Sequence, residues 1–339
     1  MRFDITSFPN DLKTVASLGE KIEKLGFDAL WTAEAAHNPF LPLTLVANAT
    51  TRLTLGTQIA VAFARSPMTV ANIAWDLQAQ SDGRFILGLG TQVKAHIQKR
   101  FSMTWDSPLP RLREYIEGLR AIWDTWQNDT PLRYEGEYYT FKLMTPFFNP
   151  GPIAHPHIPI YIAGVNEHIC RLAGELCNGL HAHGFHTVKY LRELVQANID
   201  AGLAKSGRSR DQFELVVPIF TVTGRDDAEM EKNIIATKAR IAFYASTPTY
   251  QSVLETHGWQ DTGEKLSSMA RQGQWEAMWE QISDEMLHEI AVVGTPDELP
   301  AKVHTRYAGV ADRICFGWDI DDPAGDFYLE TLSKIQALA

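Results

Sequence analysis

Glu34 and His37 lie in one short segment, Leu30-Trp31-Thr32-Ala33-Glu34-Ala35-Ala36-His37-Asn38-Pro39-Phe40, and each can exchange a proton with a bound molecule. Trp31 in the same segment could wall a flat ring. The competing reading puts Trp31 in the core, Glu34 in solvent and His37 beside Pro39 at a helix cap. Further on, Arg65 in Phe63-Ala64-Arg65-Ser66-Pro67 offers a guanidinium that could grip an anionic group in bidentate fashion or close a structural salt bridge.

Two segments could receive a phosphate. Gly88, Gly90, Thr91 and Gln92 supply bare backbone, a hydroxyl and an amide at the end of Phe85-Ile-Leu-Gly-Leu-Gly-Thr-Gln92. Gly164-Val165-Asn166 opens a helix whose free N–H groups and dipole suit the same ligand, or Asn166 is a plain N-cap. In Gly179-Leu-His-Ala-His-Gly-Phe-His186, alternation puts His181 and His183 on one face, where two imidazoles could bind a metal. No third ligand with suitable spacing accompanies them, so His183 or His186 reads more simply as a pocket hydrogen-bonder and no metal site is expected. A G-x-S-x-G elbow, a P-loop and a Cys–His nucleophile pair are all missing, which removes the common hydrolase and kinase chemistries.

These residues sit where short β-rich runs end, and the runs alternate with amphipathic helical stretches along the whole chain. The predicted strands cover residues 2–6, 28–33, 52–61, 84–90, 158–163, 179–183, 213–222 and 312–317. Eight of them favour an α/β architecture closed as a (β/α)₈ TIM barrel in one domain, 1–339, with the candidate residues at its C-terminal rim. Asp11 is expected to cap a helix that Gly26 ends, with Leu12, Val15, Leu18, Ile22 and Leu25 facing the barrel. Pro67 is expected to open another helix, through Gln80. Two rim insertions interrupt the rhythm. Residues 128–157 read as a hairpin plus a Pro-rich loop, and residues 246–291 as helices carrying Trp259, Trp275 and Trp279; both are expected to shape a lid.

The 339 residues carry 31 Lys and Arg against 41 Asp and Glu, a formal charge of −10 that argues against a nucleic-acid surface. With 45% hydrophobic residues and no apolar run of about 18, the chain reads as soluble rather than membrane-spanning. Met1-Arg-Phe-Asp-Ile enters a strand at once without a signal pattern, so a cytoplasmic location is expected. Cys170, Cys177 and Cys315 are odd in number and fit buried thiols in a reducing compartment.

Taken in order, G-F-D-A-L-W-x-x-E, F-A-R-S-P, G-R-F-I-L-G-L-G-T, I-P-I-Y-I-A-G followed by Arg171-Leu-Ala-Gly-Glu175, and Val293-Gly-Thr-Pro-Asp-Glu298 resemble the bacterial luciferase-like superfamily over nearly the whole chain. The resemblance implies a TIM barrel that binds FMN or the deazaflavin coenzyme F420 at its C-terminal rim. The Trp31 to Pro42 stretch and Leu89-Gly-Thr-Gln-Val-Lys-Ala-His96 look most like the F420 branch. On that resemblance Gly90, Thr91 and Gln92 with Gly164, Val165 and Asn166 would surround the cofactor's phosphate arm, and Trp31, Arg65 and His183 would join the cofactor pocket. A non-prolyl cis peptide is implied near Gln58-Ile59, against the ring.

The chain also departs from the family's sugar-phosphate and alcohol dehydrogenases. Where they carry Asp-His it has Glu34-Ala35, with His37 two residues on; where relatives carry Gly and Glu after the fourth strand it has Gln92 and Val93. The expected activity is therefore hydride transfer between the deazaflavin and a small organic substrate, with Glu34 or His37 as proton relay. An FMN-dependent monooxygenase fed by a separate reductase, and a non-catalytic flavin-binding protein, are the alternatives. Relatives suggest a homodimer.

Overall fold

The computed structural model describes residues 1–9, 11–317 and 325–335. Its strands are β1 (Arg2–Ser7), β2 (Ala29–Thr32), β3 (Thr54–Thr57), β4 (Ala60–Val61), β5 (Phe85–Gly90), β6 (Tyr134–Glu135), β7 (Thr140–Phe141), β8 (Ile160–Ala163), β9 (Gly179–His181), β10 (Glu214–Val222), β11 (Ala291–Val293) and β12 (Arg313–Gly317). Eight of these, in the order β1-β2-β3-β5-β8-β9-β10-β12, pair in parallel and close on themselves through β12 and β1. The (β/α)₈ TIM barrel expected from the alternating pattern is the fold.

Alternation along each strand sorts the barrel's two faces. Phe3, Ile5, Leu30, Leu55, Leu87 and Ile162 point outward and join one large apolar cluster with the surrounding helices. The residues between them point into the lumen, where a second, smaller cluster gathers Ala29, Trp31, Ile86, Tyr161, Val216 and Cys315. Glycine is required on this inner face. A Cβ on Gly56 would lie 2.3 Å from the Trp31 ring, and one on Gly88 would lie 1.8 Å from the Thr57 carbonyl oxygen.

Helix boundaries follow local chemistry. The helix Pro67–Gln80 begins and ends as its sequence predicts, with the Ser66 hydroxyl accepting the Met68 N–H and a turn through Asp82 (φ 54°) and Gly83 (φ 82°) leading into β5. The first helix starts later than expected, at Val15. Asp11 instead accepts the Lys13 N–H in the turn before it, so Leu12 is exposed while Val15 and Ile22 are buried.

The third predicted strand is in fact two, β3 and β4, separated by a cis bond between Gln58 and Ile59. β11 was not anticipated. Its three residues are too short a run to stand out beside the helices before them, and they extend the sheet by pairing with the end of β10.

Residues 128–157 contain the expected hairpin, β6–β7, which packs along the helix Pro108–Asn128. Glu114 of that helix collects the N–H groups of Glu137, Tyr138 and Tyr139, and Phe141 packs on Gly118. Trp75 and Gln78 then hold the carbonyls of Gly151 and His157. The second insertion is helical as expected and reaches the mouth through Tyr250. Of its tryptophans, Trp259 stacks on His257 and Trp275 lies half exposed against Phe243.

Candidate functional site

A column of polar side chains fills the lumen from β1 and β12 up to the mouth. At its base Arg313 pairs with Asp4, and the Trp31 indole N–H donates to the same carboxylate at 2.8 Å. Trp31 has no exposed surface. It therefore stands beneath the mouth as a core residue and walls no ring there, because the inward face of β2 at this level is enclosed by Arg313, Tyr161 and His181.

Higher in the column, Thr6, Cys315, Gln58 and His181 share one network. The Thr6 hydroxyl donates to Gln58 Oε1, Cys315 Sγ lies 3.5 Å from the same oxygen, and Gln58 Nε2 lies 3.1 Å from His181 Nδ1. Burial pushes the Cys315 thiol well above its usual range. Burial, with the nearby Arg313 charge, pushes the His181 imidazole down to about 3. Of the four, only Gln58 has appreciable exposed surface. It is the floor of the mouth.

Glu34 and Arg65 meet at the rim, and they meet each other. Arg65 Nη1 and Nη2 donate to the two Glu34 carboxylate oxygens at 2.7 and 2.8 Å, while the Val61 N–H donates to Oε2 at 2.7 Å. The guanidinium proposed for an anionic ligand is thus spent on a structural pair. His37 is not part of it. It is exposed on the loop after β2, beside a cavity of about 50 Å³ lined by Phe8, Thr32 and Pro39. Arg100 steadies that loop by donating to the Ala35 carbonyl.

The two phosphate-receiving segments are neighbours. β5 and β8 are paired through Leu89 and Ile162, and a Cβ on Gly90 would lie 3.7 Å from that of Ala163 and 2.6 Å from the Ile59 side chain. Gly90 thus serves packing against Ile59. Beyond it, the backbone N–H groups of Thr91, Gln92, Val165 and Asn166 have no acceptor among the described residues. Gln92 is held at φ 60°, its side-chain oxygen accepting the Val93 N–H, and Asn166 caps the helix Glu167–Leu176 through the Ile169 N–H. Tyr190 donates to the Val165 carbonyl from the far side.

His183 lies on a different wall from His181. Its Nδ1 accepts the Phe185 N–H at 3.0 Å, and its ring stacks on Tyr250 at 4.4 Å and meets Tyr244 edge-on. Burial pushes it down to about 4, with the adjacent His186 adding to the shift. His186 itself is tied to the His183 carbonyl and the Tyr307 hydroxyl. Among the described residues no group of three or more His, Cys, Asp or Glu converges as a metal site would require.

Sequence reasoning missed Asp4, Arg313, Thr6, Tyr244 and Tyr250. Asp4 and Arg313 had a readable signal: Asp4 lies between Phe3 and Ile5, Arg313 leads into Ile-Cys-Phe, and closure of a barrel makes their strands neighbours. The two tyrosines carried none: Tyr244 reaches His183 from the helix Asp227–Ala245, and Tyr250 does so only through the way the second insertion folds back.

A family model described as luciferase-like monooxygenase matches residues 3–313. The chain belongs to that family. It is 49% identical over 308 residues to an uncharacterised protein of Mycobacterium tuberculosis, with 91% of each chain covered. It is 31% identical over 300 residues to the 5,10-methylenetetrahydromethanopterin reductase of Archaeoglobus fulgidus, with 86% of each covered. The coenzyme F420-dependent tetrahydromethanopterin reductase of Methanopyrus kandleri superposes with a TM-score of 0.81 at 23% identity, covering 98% of this chain and 97% of that one. Members of this luciferase-like family are flavin- or F420-dependent oxidoreductases, and the barrel mouth described above is where this chain collects its candidate residues.

Proposed function

We propose that this luciferase-like chain is an F420-dependent oxidoreductase that moves a hydride between the deazaflavin and a small organic substrate at the barrel mouth. The observation that carries the reading is the set of four unengaged N–H groups at the adjoining ends of β5 and β8. Such a set suits a phosphate, and the dipole of the helix Glu167–Leu176 adds to it. Thr91, Gln92, Val165 and Asn166 would hold the phosphate arm, and Gln58, Ile59 and His183 would line the pocket for the ring. The methanopterin reductases among the relatives favour the deazaflavin over FMN.

The deazaflavin, when bound, supplies the redox chemistry, and the protein supplies orientation, water exclusion and proton handling. His37 exchanges the proton. Glu34, with three donors on its carboxylate, orders the rim loop through Arg65 and Val61. Tyr244 and Tyr250 give the substrate an aromatic wall beside His183.

Titrating the purified chain with F420 and with FMN, each followed by fluorescence, tests the assignment. Saturable F420 binding with weak FMN binding is the expected result. Tight FMN binding without F420 binding overturns it in favour of the monooxygenase chemistry, which would draw reduced FMN from a separate reductase.

A further inference from the structure

His181 presents a buried atom that the fold leaves unsatisfied. Its side chain is 2% exposed, and Nε2 has no hydrogen-bond partner. An unpaired buried N–H costs on the order of 1–3 kcal/mol, and an apolar residue in its place would avoid that cost. The imidazole must therefore be retained for what its other nitrogen does.

That nitrogen, Nδ1, faces the Gln58 amide at 3.1 Å. Because Gln58 Oε1 receives the Thr6 hydroxyl, the amide turns its nitrogen toward His181. Two donors cannot face each other, so Nδ1 is the bare lone pair and the proton sits on Nε2. Burial keeps this imidazole neutral at working pH. Ring orientation is fixed from two sides. Trp31 meets it edge to face at 4.8 Å, and glycine at position 88 leaves the room it needs, since a Cβ there would lie 3.0 Å from Nε2.

The amide of Gln58 has a second N–H, for which no acceptor exists among the described residues, and Gln58 is the network's one member with appreciable surface at the mouth. We propose that His181 is a positioning residue: it turns the Gln58 amide so that this second N–H is presented to the mouth, as a donor to a nitrogen or carbonyl oxygen of the flat cofactor ring. The inference rests on the cofactor reading above, although the acceptor it needs is present in the rings of both F420 and FMN.

Dissociation constants and absorption maxima of bound F420, measured for the full chain and four variants, test it. His181→Leu removes the acceptor, Gln58→Leu removes the donor, and a third variant combines them. Each is expected to weaken binding up to about tenfold and to shift the bound maximum in the same direction, with the double variant no worse than either single one. His181→Asn, whose side-chain oxygen falls near the place of Nδ1, is expected to restore both readouts.

Wild-type affinity and spectrum in either Leu variant would overturn the proposal, as would losses that add in the double variant. Should His181→Leu fail to fold, Gln58→Leu with His181→Asn still decides: an unshifted Gln58→Leu spectrum overturns it. A wild-type chain that binds FMN alone sinks the F420 reading and leaves this one to the same comparison with FMN. Binding of neither cofactor sinks both.

Discussion

Arg313 holds Asp4 through two hydrogen bonds, Nε to Oδ2 at 2.7 Å and Nη2 to Oδ1 at 3.0 Å, inside the lumen where both side chains are buried. The pair joins the first barrel strand to the last, so it staples the ring at its closure. Removing one partner leaves an uncompensated buried charge. Arg313→Leu should therefore cost roughly 3–5 kcal/mol of unfolding free energy, read as a lower urea midpoint. Replacing both partners with apolar residues, Asp4→Leu with Arg313→Met, should cost less than Arg313→Leu alone.

Gly88 sits on the inner face of β5, where a methyl group would lie 1.8 Å from a backbone oxygen. Backbone in a closed sheet cannot yield as a side-chain tip can. Gly88→Ala should cost at least about 3 kcal/mol or abolish soluble expression. Gly207→Ala provides the contrast. Its site is open but its φ is 68°, so only a conformational cost of about 1–2 kcal/mol is expected, measured in the same urea series.

The barrel was legible because period-two strands and period-3.6 helices alternate, and both Phe85 to Gly90 and the helix from Pro67 fell where their residues put them. The site was legible as a set of segments and much less as a set of contacts. Arg65 and Trp31 had two readings each on sequence, and only the structure shows that Glu34 takes the first and the lumen encloses the second. The glycines of Phe85-Ile-Leu-Gly-Leu-Gly-Thr-Gln92 were read as bare backbone for a ligand. They serve packing against Thr57 and Ile59, while the candidate ligand groups are the N–H donors just beyond them. Spacing alone cannot separate those roles, because both need a residue without a Cβ near a strand end.

Glu34 and Arg65 form a bidentate, largely buried pair, with side chains 6% and 16% exposed. A double-mutant cycle with Glu34→Ala and Arg65→Ala should return a coupling of roughly 1.5–3 kcal/mol in unfolding free energy. A coupling near zero would show that the rim loop is held by other contacts.

His37 is free of that pair and exposed on the loop after β2. With a reducible substrate and F420, His37→Gln should lower kcat by about a hundredfold or more while moving KM little, the pattern of a lost proton-exchange group. Unchanged kcat would remove His37 from the proton path.

The lumen and mouth histidines give stability a pH dependence with a defined sign. Burial is the largest cause that lowers His181 to about 3, and His183 and His186 to about 4, from an ordinary 6.5. In the window between those values the unfolded chain binds protons that the folded chain refuses. Their contribution is thus fully present above pH 6.5 and is lost as pH falls through the window. Each can contribute about 1.4 kcal/mol per pH unit there, so the three together approach about 4 kcal/mol per unit. Carboxylates act lower down: Arg113 holds Glu175 below its ordinary 4.5, so its loss begins only as the unfolded carboxyl starts to protonate. Urea unfolding at pH 7.5, 6.5 and 5.5 should therefore show a plateau followed by a fall that belongs mainly to histidine. His186→Asn, which keeps a donor for the His183 carbonyl, should lessen that fall by about a third; an unaltered slope would mean that His186 takes up its proton in the folded state.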